Sequence, residues 1–168
     1  MTGTSNLFRS VAGIIVRRKP GIYPVAIEKD VHAIHRHPNI PIYLLVKKPR
    51  KHHSWQCPQG GLEPNETILE GALRELAEEC GEDIKVDPIS SEPICHYQYR
   101  FPEPFIAKHK WKYVGAKVEF LVADYVSGQC IPDGEELVDF AWLSQSEIQQ
   151  YVTPEYYSAI QPLFKIGI

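Results

Sequence analysis

An α/β sandwich is the fold class this sequence predicts. Apolar runs of strand length at 11–16, 42–46 and 114–126 are interleaved with helical stretches at about 66–80 and 154–164. No internal repeat or low-complexity linker divides the chain. At 168 residues it fits one domain with a substantial core, so 1–168 is read as a single domain with a loop insertion over 20–41.

Composition narrows the functional classes. Hydrophobic content of 43% and charged content of 23% belong to an ordinary globular protein. A net charge of −3 argues against a nucleic-acid binder that works by bulk electrostatics, while leaving room for a compact basic site. The four cysteines, Cys57, Cys80, Cys95 and Cys130, form no C-x-x-C pair. They are expected to be reduced, buried thiols, not a zinc site or a disulfide framework. No apolar run has the length of a membrane span, so no membrane association is expected. No acid precedes Glu28, a faint trait of a mitochondrial presequence. Residues 11–16 read better as a strand, so cytoplasm is the expected compartment.

Residues 1–7 are expected to fray. Val11 to Val16 is apolar throughout, as in a strand buried on both faces, and Arg17, Arg18, Lys19 and Pro20 are expected to end it. Residues 20–41 are rich in Pro, His and charge, with Val25, Ala26 and Ile27 a candidate short strand. His32, His35 and His37 are read as parts of a solvated loop, because the carboxylates of a metal site are missing around them. Residues 42–46 form a strand, followed by a basic turn over 47–53 whose cations can neutralise phosphate. Residues 55–61 form a tight glycine-bearing loop that delivers the chain to a helix.

That helix is expected over about 66–80, stopped by Gly81. At about 100° per residue, Leu69, Ala72, Leu73, Leu76 and Cys80 share one arc. Glu75, Glu78 and Glu79 share its neighbour. Three carboxylates so close repel one another unless a cation sits between them, and hard oxygen ligands suit Mg2+ or Mn2+. Arg74 is one turn from both Glu70 and Glu78 and can pair with either.

Further strands are expected at 84–86, at 94–101 (ended by Pro102 and Pro104), along 114–126 as a strand pair or one bent strand, and at 137–143. Gly128 and Pro132-Asp133-Gly134 mark turns. Ser144 is a candidate N-cap, and Pro154 suits the first turn of a last helix over 154–164.

The segment from Gly60 to Glu82 resembles the Nudix box, G-x5-E-x7-R-E-U-x-E-E-x-G-U with U a bulky apolar residue. Gly60, Glu66, Arg74, Glu75, Leu76, Glu78, Glu79 and Gly81 match at the required spacing. Glu82 departs from the last apolar position, with Ile84 as a substitute two residues on. His53-Ser54-Trp55-Gln56-Cys57-Pro58-Gln59-Gly60-Gly61 resembles the H-S-W-Q-F-P-Q-G-G of RNA 5′-pyrophosphohydrolases and related dinucleoside polyphosphate hydrolases, with Cys57 in place of Phe. Phe8-Arg9-x3-Gly13 and Tyr99-Arg100-Phe101-Pro102 are similar to further segments of that group, and Gly115 to Phe120 matches in part. Val118 and Glu119 replace a Gln and a Lys there, removing positive charge useful to an RNA backbone.

The resemblance implies an α/β/α sandwich with a mixed central sheet, and a metal-dependent hydrolase of nucleoside diphosphate-linked substrates. Mg2+ or Mn2+ would be held by Glu75, Glu78 and Glu79, the Gly60 carbonyl and Glu136, which lies six residues before Trp142; Glu119 and Glu135 compete with Glu136. Glu75, Glu78 or Glu136 would take the proton of the attacking water, and Arg74 would orient the cluster. Arg9, Lys48 and Lys117 are candidate phosphate ligands, and Tyr97 or Tyr99 a candidate base platform. The expected partner is a small-molecule nucleotide, foremost a dinucleoside polyphosphate. An RNA 5′ end and a catalytically silent nucleotide-binding domain are the alternatives.

Overall fold

In the computed structural model, which describes residues 7–23, 28–109 and 112–167, two apolar cores lie on opposite faces of one mixed sheet. The strands are β1 (Leu7–Arg18), β2 (Ile42–Lys47), β3 (Trp55–Gln56), β4 (Gln59–Gly61), β5 (Lys85–Pro88), β6 (Cys95–Arg100), β7 (Tyr113–Ser127) and β8 (Asp139–Leu143). The main path is β3-β2-β1-β7-β5, with β4 on β1, β6 on β7 and β8 on β2. β1 and β7 run parallel, from Leu7 opposite Tyr113 to Arg17 opposite Asp124, and every other pairing among the described residues is antiparallel.

Strand alternation builds both cores. Ala12, Ile14 and Val16 of β1 face helix α1 (Ile68–Cys80), which buries Ala72, Leu76 and Cys80 against them. Val11 and Ile15 face the other side, with Tyr156 and Ile160 of helix α4 (Pro154–Ile160) and Ile148 of the short helix α3 (Gln145–Ile148). Helices thus cover both faces, the expected α/β/α sandwich. A 3-10 turn over Gln161–Lys165 follows α4, so the last expected helix divides in two at Gln161.

Several elements differ from the sequence expectation. β1 begins at Leu7, because β7 offers it a parallel partner from Tyr113 onward; residues 1–6 lie outside the described residues, as does the candidate strand at 25–27. Arg17 and Arg18 do not end β1: they lie inside it, 2% and 1% exposed. Each is buried because its donors find acceptors. Arg17 donates to Asp124 at 2.8 Å and to the Ile166 carbonyl at 2.8 Å. Arg18 donates to the carbonyls of Lys19, Ile34, Arg36, His37 and Ile40 and so ties residues 34–40 to the sheet. Residues 55–61 contain two short strands within the expected loop. Past β6, Pro102 and Pro104 introduce a helix, α2 (Glu103–His109), since proline is tolerated in a first turn. Residues 114–126 belong to one strand, β7.

Candidate active site

The N-terminus of α1 sets the site. Thr67 is the N-cap, its hydroxyl accepting from the Glu70 N–H at 3.1 Å while the Glu70 carboxylate accepts from the Thr67 N–H at 2.9 Å. Glu70 is thereby used in capping, and Arg74 turns elsewhere. Its guanidinium donates to both oxygens of Glu66 at 2.6 and 2.8 Å, to the Gly61 carbonyl at 2.9 Å, to Glu75 at 2.8 Å and more distantly to Glu78 at 3.3 Å. Glu66 is the partner that helical spacing could not show, because it lies before the helix.

The three α1 carboxylates occupy different environments. Glu79 is 2% exposed, its Oε1 accepting from the Gln59 N–H at 3.0 Å and its Oε2 from Lys48 Nζ at 2.5 Å. Burial pushes its carboxyl above the ordinary range, against the pull of Lys48. Glu75 is likewise raised by burial, opposed by Arg74. Its carboxylate rests on Gly60, where any Cβ would overlap it. Glu78 is 53% exposed at the rim.

These groups line a cleft of about 720 Å³. Glu75, Glu78 and Glu79 are joined in its lining by Glu135 and Glu136. The loop bearing the last two is held by Asp133, whose carboxylate accepts from the N–H groups of Glu135, Glu136 and Leu137 at 2.9, 2.9 and 3.1 Å. Arg9, Lys48 and Arg50 line the same cleft, Lys48 in direct contact with Glu79. The Arg9 guanidinium lies over Gly61, where a Cβ would strike it. Arg50 is braced by Gln56 Oε1 at 2.7 Å and the His53 carbonyl at 2.9 Å. Tyr99, Phe101 and Phe105 complete the lining with aromatic surface.

Most of the predicted site residues therefore converge, with three exceptions. Lys117 is exposed and does not line the cleft; its neighbour Ala116 does, because adjacent strand residues face opposite ways. Tyr97 stacks on Tyr99 at 5.3 Å and packs on Tyr156, behind the lining. Glu119 sits opposite His96 in the β6–β7 ladder, also away from the cleft. Arg50, Gln56, Gln59, Phe105 and Asp133 were not singled out from sequence. Arg50 stood within the basic turn, and Asp133 within a turn signal, but Phe105 gave no sign without α2.

Among the described residues, no three His, Cys, Asp or Glu side chains form a ready-made metal cluster, and Arg74 and Lys48 engage carboxylate oxygens of Glu75 and Glu79. The donor set still fits a hard divalent cation: buried Glu79 and half-buried Glu75, the latter against a backbone with no Cβ, line one cleft with Glu78 and Glu136. His32 and His37 pair with Asp139 and Glu28 at 2.7 and 2.9 Å, within the 28–41 loop and its neighbours. All four cysteines are free, and burial pushes the Cys57 thiol up to about 12. No described helix is long and apolar enough to cross a membrane.

The sequence model of the NUDIX domain matches residues 31–163. Large ribosomal subunit protein mL46 of Bos taurus is 29% identical over 146 residues, covering 85% of this chain; the chain spans only 51% of that protein's length. RNA pyrophosphohydrolase of Rickettsia canadensis is 26% identical over 142 residues, 81% of each chain. The crystal structure of a C. elegans Ap4A hydrolase binary complex shares the fold, with a TM-score of 0.61 at 17% identity, over 92% of this chain and 94% of that one.

Proposed function

The chain belongs to the NUDIX domain family, and we propose that its cleft hydrolyses a phosphoanhydride bond in nucleoside diphosphate-linked substrates, dinucleoside polyphosphates of the diadenosine tetraphosphate type above all. One observation carries this: five glutamates, the cations Arg9, Lys48 and Arg50, and the rings of Tyr99, Phe101 and Phe105 line one cleft. Such a cleft accepts a phosphate chain with a base attached.

Glu75, Glu78 and Glu79, the Gly60 carbonyl and Glu136 are the residues that would hold Mg2+ or Mn2+. When bound, the ion supplies charge neutralisation and a lowered pKa for an attacking water. Arg74, itself fixed by Glu66 and the Gly61 carbonyl, holds the Glu75 carboxylate in place. Glu78 and Glu136 are the candidates to take the water's proton, because Glu79 is tied to Lys48 and Glu75 is held by Arg74 at 2.8 Å, closer than Glu78 at 3.3 Å. Arg9 and Lys48 bind outer phosphates, and Tyr99 offers its ring to a nucleobase.

A second reading, release of pyrophosphate from RNA 5′ ends, draws support from the relative named RNA pyrophosphohydrolase and from Lys48 and Arg50 of the basic 47–53 loop, which line the cleft. A third, a catalytically silent nucleotide-binding domain, draws support from the ribosomal relative; the intact Arg74, Glu75, Glu78 and Glu79 oppose it. Purified protein with Mg2+ is offered diadenosine tetraphosphate and 5′-triphosphorylated RNA, with products resolved by chromatography. ATP release from the dinucleotide at the higher kcat/KM, lost in a folded Glu79→Gln variant, is the expected result. Preferred release of pyrophosphate from RNA would overturn the substrate assignment. No turnover of either, with Mg2+ or Mn2+, would bring the silent domain forward.

A further inference from the structure

We propose that Lys48 is a built-in competitor for the divalent cation at Glu79, and that the substrate's phosphate chain relieves this competition by drawing the ammonium away. The inference rests on the metal-dependent reading above and adds a coupling to it.

Glu79 has both oxygens engaged. Oε1 accepts a backbone N–H from Gln59 in β4, which cannot leave without disturbing the strand. Oε2 accepts Lys48 Nζ at 2.5 Å. A divalent ion on Oε2 and an ammonium on the same oxygen would repel each other in a site 1% exposed, so one must yield.

The two cations bound to the α1 carboxylates differ in their freedom to yield. Arg74 is fixed by Glu66, the Gly61 carbonyl and Glu75 together. The Lys48 ammonium has Glu79 as its partner, on a flexible four-carbon stem that is 21% exposed just beyond β2. Lys48 also lines the cleft beside Arg9 and Arg50, so a phosphate there gives its ammonium a second anionic partner. Occupation of the cleft by a phosphate chain therefore frees Oε2, and cation and substrate bind more tightly together than apart.

The test reads Mn2+ binding, by the electron paramagnetic resonance of the free ion, in the full chain without turnover. Wild type is compared with Lys48→Gln, Lys48→Met and Glu79→Gln, each checked by circular dichroism; either neutral variant suffices if the other fails to fold. With Mn2+ alone, the Lys48 variants are expected to bind about tenfold more tightly than wild type. A non-hydrolysable dinucleoside polyphosphate is expected to tighten Mn2+ binding in wild type by more than in Lys48→Gln. Loss of Mn2+ binding in Glu79→Gln with no gain in either Lys48 variant would overturn the competition and leave the metal site standing. Equal Mn2+ binding by wild type and Glu79→Gln would instead overturn the metal site, and this inference with it.

Discussion

At the scale of single residues, the site is defined by contacts too close to tolerate change. A Cβ at Gly60 overlaps the Glu75 carboxylate, so Gly60→Ala must displace that side chain. Displacements of about 1 Å in such sites cost on the order of 100-fold in rate. The expected outcome is a loss of that size in kcat/KM with an unchanged circular dichroism spectrum. The Glu66 carboxyl is held down to about 2 from an ordinary 4.5 by its hydrogen bonds with Arg74. A depressed folded pKa stabilises above the unfolded value and ceases to do so as pH falls through the folded one. The gap in urea midpoint between wild type and Glu66→Gln should therefore stay constant from about pH 7 to 5 and close toward about pH 2. Much of this site was legible in the sequence. The acidic arc follows from helical spacing alone, Gly60 and Arg9 came with their motifs, and Lys48 came with the basic turn. The Glu66–Arg74 bond was hidden because it joins a loop to a helix, and Lys117 misled because an isolated cation carries no sign of which strand face it takes.

At the scale of elements, α1 is the best-determined piece, and its capping box is the reason. Thr67→Ala removes the hydroxyl that accepts from Glu70 N–H and should lower stability by about 1 kcal/mol in chemical denaturation. Apolar runs located the strand 42–46 to within a residue and the buried middle of β1 at 11–16, since a buried stretch has no polar side to confuse the reading. It failed at the ends of β1, where Leu7 to Ser10 and the two arginines belong to the strand through tertiary partners. It failed again at α2, where two prolines read equally well as a break and as a helix start. The Asp133 turn shows a third limit: one side chain organises three successive N–H groups, yet in sequence it is only a turn residue between proline and glycine.

At the scale of the whole molecule, the two cores share one sheet, and the 28–41 loop is fastened to it through Arg18. Removing that guanidinium takes its donors from the carbonyls of Ile34, His37 and Ile40, of which His37 keeps the Ile40 N–H. Arg18→Met is expected to cost about 3 kcal/mol and to raise amide hydrogen exchange across residues 34–40 selectively. The sandwich itself was legible because strand and helix signals alternate; the order of strands was not, since no local signal pairs β1 with β7. That pairing has a consequence for how the chain comes to be folded. Its partners are roughly 100 residues apart, so the central ladder closes late and the topology is of the slow kind. On a ribosome adding about 5 to 20 residues per second, β1 waits about 5 to 20 seconds for β7 to be made. Throughout that interval one long edge of Val11–Val16 is unsatisfied, which makes the nascent N-terminal half a client for chaperones and the segment most exposed to aggregation.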